Sequence, residues 1–303
     1  DNTDPDGVAR MLGARGDDLG HARVVVVSKS GGTGETRNGL ALVAEALRTR
    51  GHELAPRAIA ITVPGSKLDA RAQDEGWLAT FPIWHWVGGR YSVTSAVGLL
   101  PAALCGVATG PFLDGARDMD AWTRSTSWRE NPAALRAGTW HLLGHGAGDK
   151  NMVVLPYRDR LQLMARYLQQ LVMESLGKRL DRQGEVVHTG LTVYGNKGST
   201  DQHAYVQQLR DGRKDFFAVF VQVLDDGRGS STAILDEATA GDTLQGFLLG
   251  TRRALHAEGR PSVTITLPRV DPQQLGGLIA LFERAVGLYA SLIDINAYHQ
   301  PGV

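Results

Sequence analysis

Short apolar runs alternate along the chain with longer stretches in which apolar positions recur every three or four residues. That alternation predicts strands interleaved with helices and hence a parallel α/β architecture. Ala22–Ser30 contains four consecutive valines and predicts a strand buried on both faces. Gly31–Gly34 reads as a turn, and Glu35–Thr49 as a helix with Leu40, Val43, Ala44 and Leu47 along one face. Arg57–Val63 and Trp77–Trp84 read as further strands, and Ser92–Leu104 as an apolar helix. A second unit is predicted to begin near Asp118, which divides the chain into domains over 1–120 and 121–303. Its helices are predicted over Asn131–Gly144, Asp159–Gly177, Gln202–Leu209, Thr243–Ala257 and Pro272–Leu292. Its strands are predicted over Asn151–Pro156, Val186–Tyr194, Phe216–Leu224 and Ser262–Leu267, with Gly195–Asp201 a loop. The polar, Gly- and Ser-rich stretch Asp225–Ala240 reads as a surface excursion.

Composition narrows this only a little. With 32 basic and 32 acidic residues the formal net charge is +0, so nothing global favours a nucleic acid or an anionic membrane. Any anion site must therefore be local. No run of 18 apolar residues is seen, so no membrane-spanning helix is expected, and no signal peptide is recognisable. The single cysteine, Cys105, stands between Leu104 and Gly106 and reads as a buried small hydrophobe in a reducing cytosol. The chain opens without Met and closes on Gln-Pro-Gly-Val, so both ends read as cuts through a longer protein.

Three local patterns carry chemistry. Ser28-Lys29-Ser30-Gly31-Gly32-Thr33-Gly34 follows the valine strand and opens a helix. Hydroxyls, close-approaching glycines, a helix N-terminus and the Lys29 charge together suit a phosphate, although a capped strand–helix junction has a similar wording. The spacing is not that of a Walker A loop. Gln170, Glu174 and Lys178 lie at i, i+4 and i+8 beside a strongly apolar stripe. A carboxylate partly stripped of water there makes a better base, while a surface Glu174–Lys178 ion pair is the plainer alternative. His203 lies at a loop-to-helix boundary, where the helix dipole disfavours the cation and leaves a neutral ring able to take or give a proton. His141 and His145 share a helical spacing but lack a third ligand, so no metal is expected. His85, between Trp84 and Trp86, reads as a packing residue.

Taken in order, these blocks resemble the glucose-6-phosphate isomerase family. Gly88-Gly89-Arg90-Tyr91-Ser92, Met173-Glu174-Ser175-Leu176-Gly177-Lys178 and Gly198-Ser199-Thr200-Asp201-Gln202-His203 carry the resemblance along the whole chain, in the wording of a bacterial, cyanobacterial-like branch. It implies two sugar-isomerase (SIS) domains, each a parallel sheet flanked by helices. It implies reversible conversion of glucose 6-phosphate and fructose 6-phosphate through a cis-enediol, in glycolysis and gluconeogenesis. Glu174 would be the base, and Arg90 with the Gly89 backbone would stabilise the enediolate. His203 would open the ring, reaching the site from the partner of a homodimer. Ser28, Lys29, Ser30 and Thr33 would hold the phosphate, and Gln170 and Gln300 would contact substrate. No metal or organic cofactor, and a cytoplasmic location, are implied. Two alternatives stay open, a dual phosphoglucose/phosphomannose isomerase and a non-catalytic SIS-fold sugar-phosphate binder. Two family parts lack a counterpart, a Gly-Ser phosphate turn before residue 1 and a ring-opening lysine after residue 303. A chain truly ending there would open the ring poorly and bind phosphate weakly.

Overall fold

The computed structural model describes residues 3–225, 233–235 and 238–302. The chain forms two compact units, Asp1–Val107 and Ala108–Val303.

The first unit opens with helix α1 (Pro5–Gly13), started by Pro5 in the first turn and by the Asp4 carboxylate, which accepts the Asp6 N–H. Then come strand β1 (Val24–Val27), helix α2 (Gly34–Arg48), strand β2 (Ala58–Thr62), helix α3 (Lys67–Asp74), strand β3 (Ala79–Pro82) and helix α4 (Ala96–Leu104). The strands make a parallel sheet in the order β1-β2-β3. β2 is central, and all five of its residues are buried. β1 stands at an edge among the described residues, and only Val26 of its valines is buried. The expectation of a strand buried on both faces therefore fits β2 and not β1. Side chains alternate across the sheet, so Val26, Ala58 and Ala60 pack with Leu40, Leu68 and Trp77 on one face. Ile61, Val63 and Ile83 pack with Val97 and Leu100 on the other.

The second unit contains helices α5 (Thr109–Trp122) and α6 (Pro132–Leu143), strand β4 (Asn151–Pro156) and a short helix α7 (Met164–Leu168). A hairpin of β5 (Lys178–Leu180) and β6 (Val186–Thr189) follows, then β7 (Val193–Tyr194), α8 (Val206–Asp211) and β8 (Phe216–Val223). The remainder is β9 (Ala233–Leu235), β10 (Ala238–Thr239), α9 (Ala240–Ala257), β11 (Ser262–Leu267) and α10 (Pro272–Leu292). The main sheet is parallel throughout, in the order β11-β8-β4-β7. Most of the excursion predicted over Asp225–Ala240 lies outside the described residues; β9 and β10 pair antiparallel within it.

α10 is long and apolar enough to cross a membrane by length and composition, yet 61% of that window is buried inside the unit. It is the core helix. Trp140 of α6 stacks on Phe282 at 6.3 Å and meets Tyr289 edge-on at 6.0 Å. Arg284 of α10 pairs with Asp120 of α5, and the Gln273 amide donates to Asp118 at 3.1 Å. α5 therefore belongs to the second unit, and the boundary falls at 107/108, earlier than the 120/121 read from the sequence.

Two predicted elements break up. Asp159–Gly177 is not one α-helix but a 3₁₀ turn (Asp159–Leu161), α7 and a π-helical segment (Gln169–Glu174). Val186–Tyr194 splits at Gly190 into β6, which pairs back on β5, and β7, which joins β4.

Candidate active site

In the first unit, the turn after β1 is braced from within. The buried Ser28 hydroxyl accepts the Gly31 N–H at 3.0 Å and lies 3.2 Å from the Thr33 hydroxyl. The Ser30 hydroxyl accepts the Gly32 N–H at 3.0 Å. Gly31 has φ +75°, and a Cβ there would stand 2.7 Å from the Leu68 backbone nitrogen, so only glycine fits. Thr33 occupies the N-cap position of α2 but makes no capping hydrogen bond, its hydroxyl being turned to Ser28. A 15-residue helix thus begins with first-turn N–H groups that no side chain caps, beside exposed Ser30 and Thr33. That is the chemistry of an anion site. The Lys29 ammonium points elsewhere: it donates to the His85 carbonyl at 3.0 Å. It ties this turn to the loop that leads to Gly88. His85 is exposed and Trp86 is 81% exposed, so they are not the packing cluster read from the sequence. Thr62, which the motif blocks do not include, donates to the Lys29 carbonyl at 3.1 Å and holds the turn onto β2.

Arg90 sits in a single 3₁₀ turn, Gly89–Tyr91, and is 5% exposed. Its guanidinium lies 5.5 Å from the centre of the Tyr91 ring. A relay of serines locks the turn: Ser92 donates to the Gly89 carbonyl at 2.6 Å, and Ser95 donates to the Ser92 carbonyl at 2.6 Å. Ser95 also caps α4, accepting the Val97 N–H, which moves the helix start from the predicted Ser92 to Ala96. A buried, always-charged guanidinium on a fixed turn is suited to stabilising a developing oxyanion.

In the second unit, Gln170 and Glu174 lie on the π-helical segment, Gln170 exposed and Glu174 half-buried. Hydrogen bonding from i to i+5 no longer stacks residues four apart, so the i, i+4, i+8 face does not exist. Leu168, Leu171 and Val172 anchor the segment, each fully buried. Lys178 begins β5 rather than continuing the helix, and its ammonium donates to the carbonyls of Glu174 and Ser175, both at 2.8 Å. It is 4% exposed, which the plain surface-pair reading did not anticipate.

His203 is exposed and is the last residue of a 3₁₀ turn, Thr200–His203; α8 starts only at Val206. The helix predicted over Gln202–Leu209 is thus two pieces, and the N-terminal dipole argument for this ring does not apply. The loop is organised by Asp201, 1% exposed. Its carboxylate accepts the Asn196 and Lys197 N–H groups at 3.1 and 3.0 Å and the Tyr205 hydroxyl at 2.5 Å. Burial, and then Asp201, push the Tyr205 phenol well above its ordinary range, so it serves as a donor. Ser199, at φ +74°, is a strained residue between Lys197 and Asp201, two members of this network. Sequence reading saw Asp201 only as part of a block; an Asp five residues beyond an Asn in a Gly-rich loop was the available signal.

Gln300 is exposed, beyond the end of α10. Among the described residues no cluster of His, Cys, Asp and Glu could hold a metal ion. His141 turns inward, 6.4 Å from Tyr289, while His145 lies past the end of α6 and meets Asp149 at 2.9 Å, so they share no helix face. Cys105 is exposed at the C-terminal end of α4, not buried as its neighbours suggested.

Comparison with known proteins is decisive for kinship. The family described as phosphoglucose isomerase matches residues 1–240. Glucose-6-phosphate isomerase of Synechococcus elongatus is 60% identical over 303 residues, all of this chain and 57% of that protein. The enzyme of the same name from Geobacter sulfurreducens is 59% identical over 304 residues, 58% of its length. The chain thus spans a little over half the length of the curated relatives it matches. Among solved structures, a hypothetical protein from Thermus thermophilus superposes with TM-score 0.91 at 31% identity, covering 100% of this chain and 73% of that one. A glucose-6-phosphate isomerase from Chlamydia trachomatis gives TM-score 0.88 at 30% identity, over 99% of this chain and 60% of that one.

Proposed function

This chain belongs to the phosphoglucose isomerase family, and on that premise we propose that it carries the chemistry interconverting glucose 6-phosphate and fructose 6-phosphate. One observation carries the reading: relatives bearing the name glucose-6-phosphate isomerase are about 60% identical to it over its full length.

The reaction moves a proton between adjacent carbons, so one base serves both half-reactions. Glu174, half-buried on its π-helical segment, removes the proton from one carbon and returns it to the next through a cis-enediol. Negative charge gathers on the enediolate oxygen, and Arg90 is the cation for it, with the Gly89 backbone beside it. Arginine suits this role because it does not compete as a base. His203 passes the proton that opens the sugar ring. Ser28, Ser30 and Thr33, at the uncapped start of α2, take the phosphate. Lys29 acts there through its tether to the His85 carbonyl. Gln170 and Gln300 orient the sugar. Phosphate binding remote from the reacting carbons supplies positioning. The enzyme is a cytoplasmic homodimer in which His203 serves the partner's site; an active monomer by light scattering would overturn the shared site.

Isomerisation in deuterated water is the direct test. Solvent deuterium should enter the product sugar phosphate at the carbon that receives the proton, as followed by NMR. Tight sugar-phosphate binding without label or conversion would favour a non-catalytic binder. Equal turnover of mannose 6-phosphate would widen the substrate range to the dual isomerase.

A further inference from the structure

Lys178 is deeply buried beside the catalytic segment and does not extend into solvent as lysines usually do. Its ammonium folds back from the start of β5 onto the carbonyls of Glu174 and Ser175. These carbonyls stand at the end of a helical run. The next residues are gripped as well: the Thr189 hydroxyl of β6 donates to the Leu176 carbonyl at 2.8 Å, and the Gly177 N–H donates to the Met173 carbonyl at 2.8 Å. Lys178 itself pairs with Thr189 in the β5–β6 ladder. The hairpin thus holds the C-terminal end of the π-helical segment through one charged side chain and one hydroxyl.

We propose that Lys178 is a positioning residue for the isomerisation. By clamping the backbone carbonyl of Glu174 itself, it fixes where that carboxylate stands relative to the reacting carbons. This rests on Glu174 being the base. π-helical turns are rare and occur frequently at functional sites. A buried ammonium on the Glu174 carbonyl and on that of Ser175 just after it fixes the backbone where the π-helical turn ends. Misplacing a catalytic group by about 1 Å costs on the order of 10²-fold in rate. The clamp grips the backbone that carries the base, so its loss should act on turnover and not on affinity.

The test uses the active enzyme with Lys178→Met and Lys178→Arg beside Glu174→Gln. Lys178→Met should lower kcat by about 10- to 100-fold, leave KM for fructose 6-phosphate within about threefold, and leave the inhibition constant of inorganic phosphate unchanged. Lys178→Arg, which keeps a buried donor to both carbonyls, should recover most of kcat. Lys178→Gln replaces the Met variant should that one fail to fold, and should lose kcat to an intermediate degree. A folded Met or Gln variant with unchanged kcat, or with a rise in KM instead, overturns the proposal. So does failure of both to fold, which would make Lys178 a structural cap. Retained activity in Glu174→Gln would instead overturn the assignment of the base, whatever the Lys178 variants do.

Discussion

Glu283 lies on α10 and accepts the Tyr167 hydroxyl of α7 at 3.1 Å. Burial pushes its carboxyl up to about 7, against the opposing pull of that hydrogen bond. The folded value stands above the ordinary 4.5, so the fold favours the protonated form. Stability from this group is fully present below the unfolded value and is lost as pH rises through the folded one. Chemical denaturation should therefore show a decline between about pH 4.5 and about pH 7 that Glu283→Gln flattens. An identical decline in the variant would contradict the assignment. At this scale Ser28, Arg90, Glu174 and His203 are legible as candidates because they stand in contiguous blocks. The sequence did not reveal their surroundings. Nothing in Gly-Gly-Arg-Tyr-Ser announces that Arg90 is buried, since its shelter comes from a turn locked by Ser92 and Ser95. Cys105 was misread because apolar neighbours in sequence do not bury a residue that falls at a helix end.

Helices α5 and α10 cross closely enough that glycine is required on both sides. A Cβ at Gly115 would stand 1.8 Å from the Gln273 carbonyl oxygen, and one at Gly276 1.9 Å from that of Phe112. Gly276→Ala should cost about 1–3 kcal/mol, read from the denaturation midpoint. Gly250, in the middle of α9 with nothing within 4 Å of an added methyl, should respond oppositely and gain about 0.5–1 kcal/mol as Ala. Equal responses at the two sites would contradict the close crossing. Periodicity found the strands β2, β4, β8 and β11 and the helices α2, α6, α9 and α10. It missed α3 and α5, whose Asp, Lys and Gly content hides a buried face that only their partners define. It also merged the 3₁₀ turn, α7 and the π-helical segment, because an apolar stripe looks alike whether bonds close at four residues or five.

For the whole molecule, the order of blocks along the chain is more informative than any block alone, and the family match over residues 1–240 spans all of them. The domain boundary was harder to place, because α5 carries no strand or motif of its own and takes its allegiance from α10. The first unit carries an uncapped helix start and a fixed guanidinium, and the second carries a half-buried carboxylate on a clamped turn. The measurement that tests the account most directly is conversion of fructose 6-phosphate to glucose 6-phosphate by the wild-type enzyme and by Glu174→Gln. The account predicts turnover in the first and a loss of about 10²–10⁴-fold in the second, with phosphate inhibition retained. A Gln variant that turns over at the wild-type rate would contradict it.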